Sequence, residues 1–257
     1  YDAFGTSFGG AENLTIQTVD SAEIDGSTRP GNNRIVDLRA DGTTLSGFNI
    51  TSDGGGVGIS VSGIGITASG NTITDVLTGI QTTTQYAAGN GTFTGNTITG
   101  ATVGVSLQNT GNNVSGNNVT ASTEGVGLLT GLNTFTGNTF TIGAGGDALN
   151  FYGGAVAGDL TSNSNNVTIA GGGLQDAIHL AGTGGTLDVG SSTYAEDAVA
   201  ANQINVTGNG AAIDGLTLNG AGSTIGGTFN SAVSGFTFGA PVILSSNLAL
   251  TTTGTAT

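Results

Sequence analysis

An all-β parallel solenoid is the fold this sequence predicts, and three observations predict it. A bland segment recurs in register along the chain. Each copy alternates apolar and polar residues with the period of a strand. The composition is rich in turn-formers and β-branched residues and poor in almost everything else.

The recurrence is clearest mid-chain. "FTGNTITGATVGVSL" (Phe93–Leu107) returns as "VSGNNVTASTEGVGL" (Val114–Leu128), offset by 21 residues. Earlier copies are "LSGFNITSDGGGVGISV" (Leu45–Val61) and "ASGNTITDVLTGIQT" (Ala68–Thr82), and "FTGNTFTIGAGGDALNF" (Phe135–Phe151) follows. Beyond it the copies fade: "NSNNVTIAGGGLQDAIHL" ends at Leu180, and "STYAEDAVAANQINV" and "IDGLTLNGAGSTIGG" are partial. Self-similarity at a fixed period marks a stack of units, none of which can bury its apolar face alone.

Two motifs organise each unit. The first is G-N-x-I, as in Gly70-Asn71, Gly95-Asn96, Gly116-Asn117 and Gly137-Asn138. Gly and Asn tolerate left-handed backbone angles, so this is a corner. On successive coils Asn71, Asn96, Asn117 and Asn138 share that corner, and their amides can bond along the stack as an asparagine ladder. The second motif is Gly or Ala followed by Ile, Val or Leu, from Gly58-Ile59 through Gly125-Val126 to Ala177-Ile178 and Ala198-Val199. Here Val105 and Leu107 flank Ser106, and Ile178 and Leu180 flank His179, a period of two that reads as strand. No segment shows a convincing period of 3.6, and Gly interrupts every candidate helix. Val105, Val126, Leu149 and Ile178 are expected to stack as one inward column, with Leu107, Leu128, Phe151 and Leu180 as the next.

The frame is lost near the C-terminus. Residues 1–235 are read as the solenoid and 236–257 as a β-rich tail, "FTFGAPVILSSNLALTTTGTAT" from Phe236. Pro241 interrupts this tail, and Leu248 and Leu250 alternate with polar or small neighbours. The tail is expected to fold back as a cap, to continue into further repeats, or to pair with a neighbour's open edge by strand addition, in which case Val242, Leu244, Leu248 and Leu250 are its candidates for subunit contact.

Composition narrows the function classes. The 257 residues include 49 Gly and 2 Pro, and only 8% are charged, with a net charge of −14. Phosphate binding needs clustered Lys and Arg, which argues against nucleic acid. The basic residues are Arg29, Arg34 and Arg39, expected to pair locally with Asp37 and Asp41. Cys is absent, which excludes disulfides and thiolate metal sites. No apolar run approaches the ~18 residues of a membrane span. No charged segment with an apolar run stands at the N-terminus. An acidic, Lys-free, Thr/Gly/Asn-rich chain fits an extracellular or cell-surface setting.

The residue before the second motif is Thr78, Val103, Glu124, Asp147, Asp176 and Asp197 on successive copies. Rungs of a parallel stack lie ~4.8 Å apart. Carboxylates at that spacing repel by about 0.8 kcal/mol in water, and more at lower dielectric. A column of Glu124, Asp147, Asp176 and Asp197 therefore needs a bound cation, for which calcium with its hard oxygen ligands is suited, raised pKa values, or insertions that splay the acids into water. "IGAGGDALN" (Ile142–Asn150) resembles one glycine-rich calcium nonapeptide, departing from it at Ile142. Asp147, Asp176, Asp197 and His179 are the only candidates for acid/base glycan cleavage.

The corner and strand motifs, at a spacing near 22 residues, resemble right-handed parallel β-helix repeats of the pectin-lyase-like superfamily, most of all those of bacterial surface proteins with β-helical passenger segments. "AEIDGSTRPGNNRIVDLRADGTTLSGFNI" (Ala22–Ile50) resembles the way such helices begin, and the resemblance covers roughly Leu14 to Phe238. It implies a right-handed parallel β-helix of about ten coils, roughly 50 Å long at ~4.8 Å per coil. The same helix serves lyases, hydrolases, tailspikes, adhesins and fibres. The motifs of its polygalacturonase and pectate-lyase families are not in this sequence. The function expected is structural and non-enzymatic: a surface adhesin stalk or self-assembling fibre subunit, with self-association as the main partnership. The alternative is a glycan-binding or glycan-cleaving β-helix whose partners are cell-surface glycans.

Overall fold

The computed structural model describes residues 14–18, 22–27, 34–84, 89–129, 131–153, 155, 157 and 160–252. Its strands stack in parallel into a β-solenoid of about ten turns. A seven-stranded sheet runs from Thr15–Gln17 through Thr44–Ser46, Thr67–Ser69, Thr92–Thr94, Asn113–Ser115 and Asn133–Thr136 to Leu160–Asn163. A larger sheet takes the strands that follow each G-N corner and those that carry the second motif. In Thr97–Leu107 and Asn118–Leu128 the two halves run on as one strand, with register shifts at Ala101.

The core is a set of inward columns. Ile50, Ile73, Ile98, Val119, Phe140 and Val167 pair rung to rung, each no more than 1% exposed. Val105, Val126 and Leu149 form a second column, and Leu107, Leu128 and Phe151 a third. On the seven-stranded sheet Ala68, Phe93, Val114 and Phe135 alternate small and large, so that the rings have room between neighbours.

Glycine in the second motif has a steric cause. A Cβ on Gly79 would stand 2.6 Å from the carbonyl oxygen of Gly104 and 2.6 Å from Ile98, and one on Gly104 would meet Gly125 and Val119 as closely. The backbones of adjacent coils pass too near for any side chain. In the corner motif the left-handed conformation belongs to glycine: Gly70, Gly95, Gly116 and Gly137 have φ of 61° to 64°. The asparagines beside them have no positive φ and are free for another role.

Ile178 and Leu180 are not on a strand. Leu174–Ala181 is an α-helix, with Leu174, Ala177, Ile178, Leu180 and Ala181 buried. Leu174, Ala177, Ile178 and Ala181 recur at i, i+3, i+4 and i+7, the helical period. Eight residues free of Gly, set between Gly173 and Gly182, allow it. The helix occupies the place of a strand between Asp147–Phe151 and Thr193–Ala200, packing against both. The core column continues through it by burial, not by register.

The C-terminal segment stacks on the solenoid. Ile243–Thr252 pairs in parallel with Thr224–Phe238, Ile225 opposite Leu244 and Phe229 opposite Leu250. The boundary expected at 235/236 falls inside one strand, and residues 243–252 continue the stack as another coil.

The outward columns are uniform. After each corner two residues face solvent: Thr72 and Thr74, Thr97 and Thr99, Asn118 and Thr120, Thr139 and Thr141, Asn166 and Thr168. These are exposed or half-buried, while the residue between each two is buried.

Candidate functional site

Glu124 and Asp147 are register partners on adjacent coils. Glu124 is 5% exposed. Its carboxylate lies over Gly127, where a Cβ would come within 2.1 Å of Oε1, so the missing side chain makes the niche. The Tyr152 hydroxyl donates to Glu124 Oε2, and so does Asn150 Nδ2 at 3.3 Å. Neutral donors thus solvate this acid in place of water.

The hydrogen bond to Glu124, with burial and the carboxylate's charge behind it, pushes the Tyr152 phenol up from 10.0 to about 12. Folding therefore tightens the hold on this proton. The stability it contributes is whole below pH 10 and lost as pH climbs through about 12. With four tyrosines in the chain, a difference absorbance titration of wild type against Tyr152→Phe should isolate one phenol ionising near 12. Ionisation near 10 would mean that Glu124 does not hold the hydroxyl.

The other acids gather at the helix start. Gly173, at the N-cap, has no side chain to accept from the first amides. Glu196 from the next coil supplies the acceptor: its Oε1 takes the Leu174 N–H and, at 3.3 Å, the Gln175 N–H. Asp147 from the previous coil accepts from Gly173 N at 3.3 Å, and Asp176 stands in the first turn. Three carboxylates at the positive end of a helix are mutually offset by its exposed amides and dipole. Glu196→Ala should destabilise the protein by about 1–2 kcal/mol, and Glu196→Gln, which keeps an acceptor, by about 0.3–1 kcal/mol. Urea denaturation followed by circular dichroism reads both; equal losses would assign the effect to charge alone.

The expected carboxylate column is therefore not continuous. Glu124 and Asp147 adjoin, Asp176 is on the helix, and Asp197 lies exposed on Thr193–Ala200 opposite Gly215. Among the described residues no group of three or more His, Asp or Glu gathers as a metal-holding cluster. His179 Nδ1 is 3.9 Å from Asp176 Oδ1. The Gln175 side chain bridges helix and strand: its Oε1 accepts from Val199 N at 2.7 Å and its Nε2 donates to Val199 O at 3.1 Å. The Gln175 Nε2 also stands 3.0 Å from His179 Nε2. The ring also lines a cleft of about 300 Å³ with Ser162, Ile178, Val199 and Asn202.

The corner asparagines are bonded end to end. Asn71 Nδ2 donates to Asn96 Oδ1 at 3.0 Å, Asn96 to Asn117 at 3.0 Å, and Asn117 to Asn138 at 2.9 Å. Each Oδ1 also accepts the backbone N–H of the preceding asparagine, and each Nδ2 reaches a core-strand carbonyl such as Phe93 O. The ladder continues to Asn165 at 2.9 Å. Sequence reasoning missed Asn165 because Ser164, at φ 52°, replaces the corner glycine. It also missed a second ladder, Asn112 Nδ2 to Asn133 Oδ1 at 2.8 Å, whose signal was the same 21-residue offset. Glu196 and Gln175 had no signal while their segment was read as strand.

Arg34 and Arg39 both reach Asp37 Oδ2, at 3.2 and 2.7 Å. Asp41 instead accepts from Ile64 N. Arg29 lies outside the described residues. Leu244 and Leu250 are 64% and 37% exposed on the last described coil, whereas Val242 and Leu248 pack partly against the core.

No family model, curated protein or solved structure matches the chain.

Proposed function

We propose that this chain is a rigid structural segment of an extracellular surface protein, a stalk or self-assembling fibre subunit. The observation that carries the reading is the buried asparagine ladder from Asn71 to Asn165, which fastens successive coils by side chain as well as by backbone. Fully satisfied buried polar networks rigidify and fix register. A further support is the last described coil, where Ile243 and Leu244 are 59% and 64% exposed on a strand that, among the described residues, pairs with Thr224–Phe238 alone. Apolar strand edges of this kind pair with other chains, and head-to-tail contacts that do not close give filaments. The calcium reading narrows to Glu124 and Asp147, the adjoining pair among the four acids, where Tyr152 and Asn150 already donate to Glu124.

Negative-stain electron microscopy at rising protein concentration tests the fibre reading. Short rods that join end to end are expected, and Leu244→Lys should leave single rods. Full-length protein that stays as single particles at every concentration would remove the fibre reading. A compliant particle that collapses on the grid would remove the stalk reading as well.

A further inference from the structure

We propose that the threonine face of the larger sheet, across strands Asn49–Thr51 to Asn166–Ala170, binds ice. Residues i and i+2 of a parallel strand stand ~6.6 Å apart and rungs lie ~4.8 Å apart, so the two outward columns form a regular array of hydroxyl and amide groups. The rung spacing is close to the shortest repeat of the ice lattice.

Rigidity follows from what lies beneath. Ile73, Ile98, Val119, Phe140 and Val167, between the outward residues, are all 0–1% exposed and fix the backbone. Threonine, branched at Cβ, has few χ1 choices. The array is ordered before any partner arrives, which removes much of the cost of binding.

Charge selects the partner. The chain carries −14 overall, yet on these strands the two columns contain only Thr and Asn. A charged polymer would find no counter-charge there. A neutral lattice of donors and acceptors fits groups that both donate and accept, and the methyl groups between them order adjacent water. Beside Thr120 and Thr141 runs a shallow trough walled by Gly100, Ala101, Ala121 and Ile142, which extends the uncharged surface. The columns hold no aromatic ring on which the sugars of a crystalline polysaccharide could stack, so ice is favoured over that solid. This inference is independent of the stalk reading, since filament formation and ice shaping are measured separately.

The test is growth of single ice crystals in a solution of the full chain, with thermal hysteresis measured by nanolitre osmometry. Wild type should facet the crystals and arrest their growth over a measurable gap. Thr120→Lys, at the centre of the lattice, should lose most of that gap, and Thr141→Lys on the next rung should do the same should the first variant fold poorly by circular dichroism. Thr94→Lys, outward on the seven-stranded sheet, should keep it. Round, unshaped crystals with wild type would overturn the proposal. So would full hysteresis in both lattice variants, loss confined to Thr94→Lys, or a protein that sediments with microcrystalline cellulose and leaves ice unshaped.

Discussion

Leu128→Asp should be among the most destabilising single changes in this protein, at about 4 kcal/mol or more. Leu128 is fully buried between Leu107 and Phe151 on adjacent rungs. The substitution removes the packing of a leucine, about 2–5 kcal/mol, and leaves a carboxylate with no donor in reach. The charge must be protonated or hydrated by a distorted core. At about 2–4 °C per kcal/mol for a chain this size, the melting temperature should fall by roughly 10 °C. Thr120→Asp, on the same strand with its side chain exposed, is the control and should stay within about 0.5 kcal/mol of wild type. Equal melting of the two variants would mean that the register of this strand is wrong.

Asn117→Ala should come close behind. Asn117 Oδ1 accepts the Asn96 backbone N–H at 2.9 Å and its Nδ2 at 3.0 Å, and Asn117 Nδ2 donates to Phe93 O at 2.8 Å and to Asn138 Oδ1 at 2.9 Å. Alanine orphans the buried Asn96 backbone N–H and strips one bond each from Asn96 Nδ2, Phe93 O and Asn138 Oδ1. Each orphaned buried group costs about 1–3 kcal/mol, so a total of about 3 kcal/mol is expected. Asn118→Ala, one residue on and exposed, should cost little. Chemical denaturation of the pair measures the ladder directly. A loss below that of a single orphaned group would show that the corner rearranges around the gap.

The parts of the fold legible in sequence were those that repeat. Gly70, Gly95, Gly116 and Gly137 each sit where only a left-handed turn closes the coil, and the alternation around Val105 and Val126 marks the buried face. What resists reading is what happens once. The segment Leu174–Ala181 aligns with the strand motif through Ala177-Ile178, and the alignment concealed a helical period in the same letters. Its consequence spreads to the acids. Asp147, Asp176 and Asp197 look like one column only if all three residues are on strands. With a helix in the middle, Glu196 rather than Asp197 becomes the residue in contact with it. The C-terminal coil was hidden for a different reason. Pro241 and the loss of the G-N corner remove the punctuation, yet Leu244, Leu248 and Leu250 still follow the pleat of the strand below.

The Gln175 side chain, standing in for a missing strand, gives the rod a direction of compliance. Along most of its length, neighbouring coils are tied by backbone ladders on more than one flank. At the helix, one flank is held by side chains, with Gln175 on Val199, Glu196 on the Leu174 and Gln175 amides and Asp147 on the Gly173 amide, and by packing. The opposite flank keeps an unbroken ladder from Asn166–Ala170 through Gly185–Val189 to Ile204–Leu218. A load applied across the axis should therefore open the helix flank while the ladder flank acts as the leaf of a hinge. A load along the axis is shared and resisted. Such a segment would bend in one plane at one height, and the coils above and below would swing as two stiff arms.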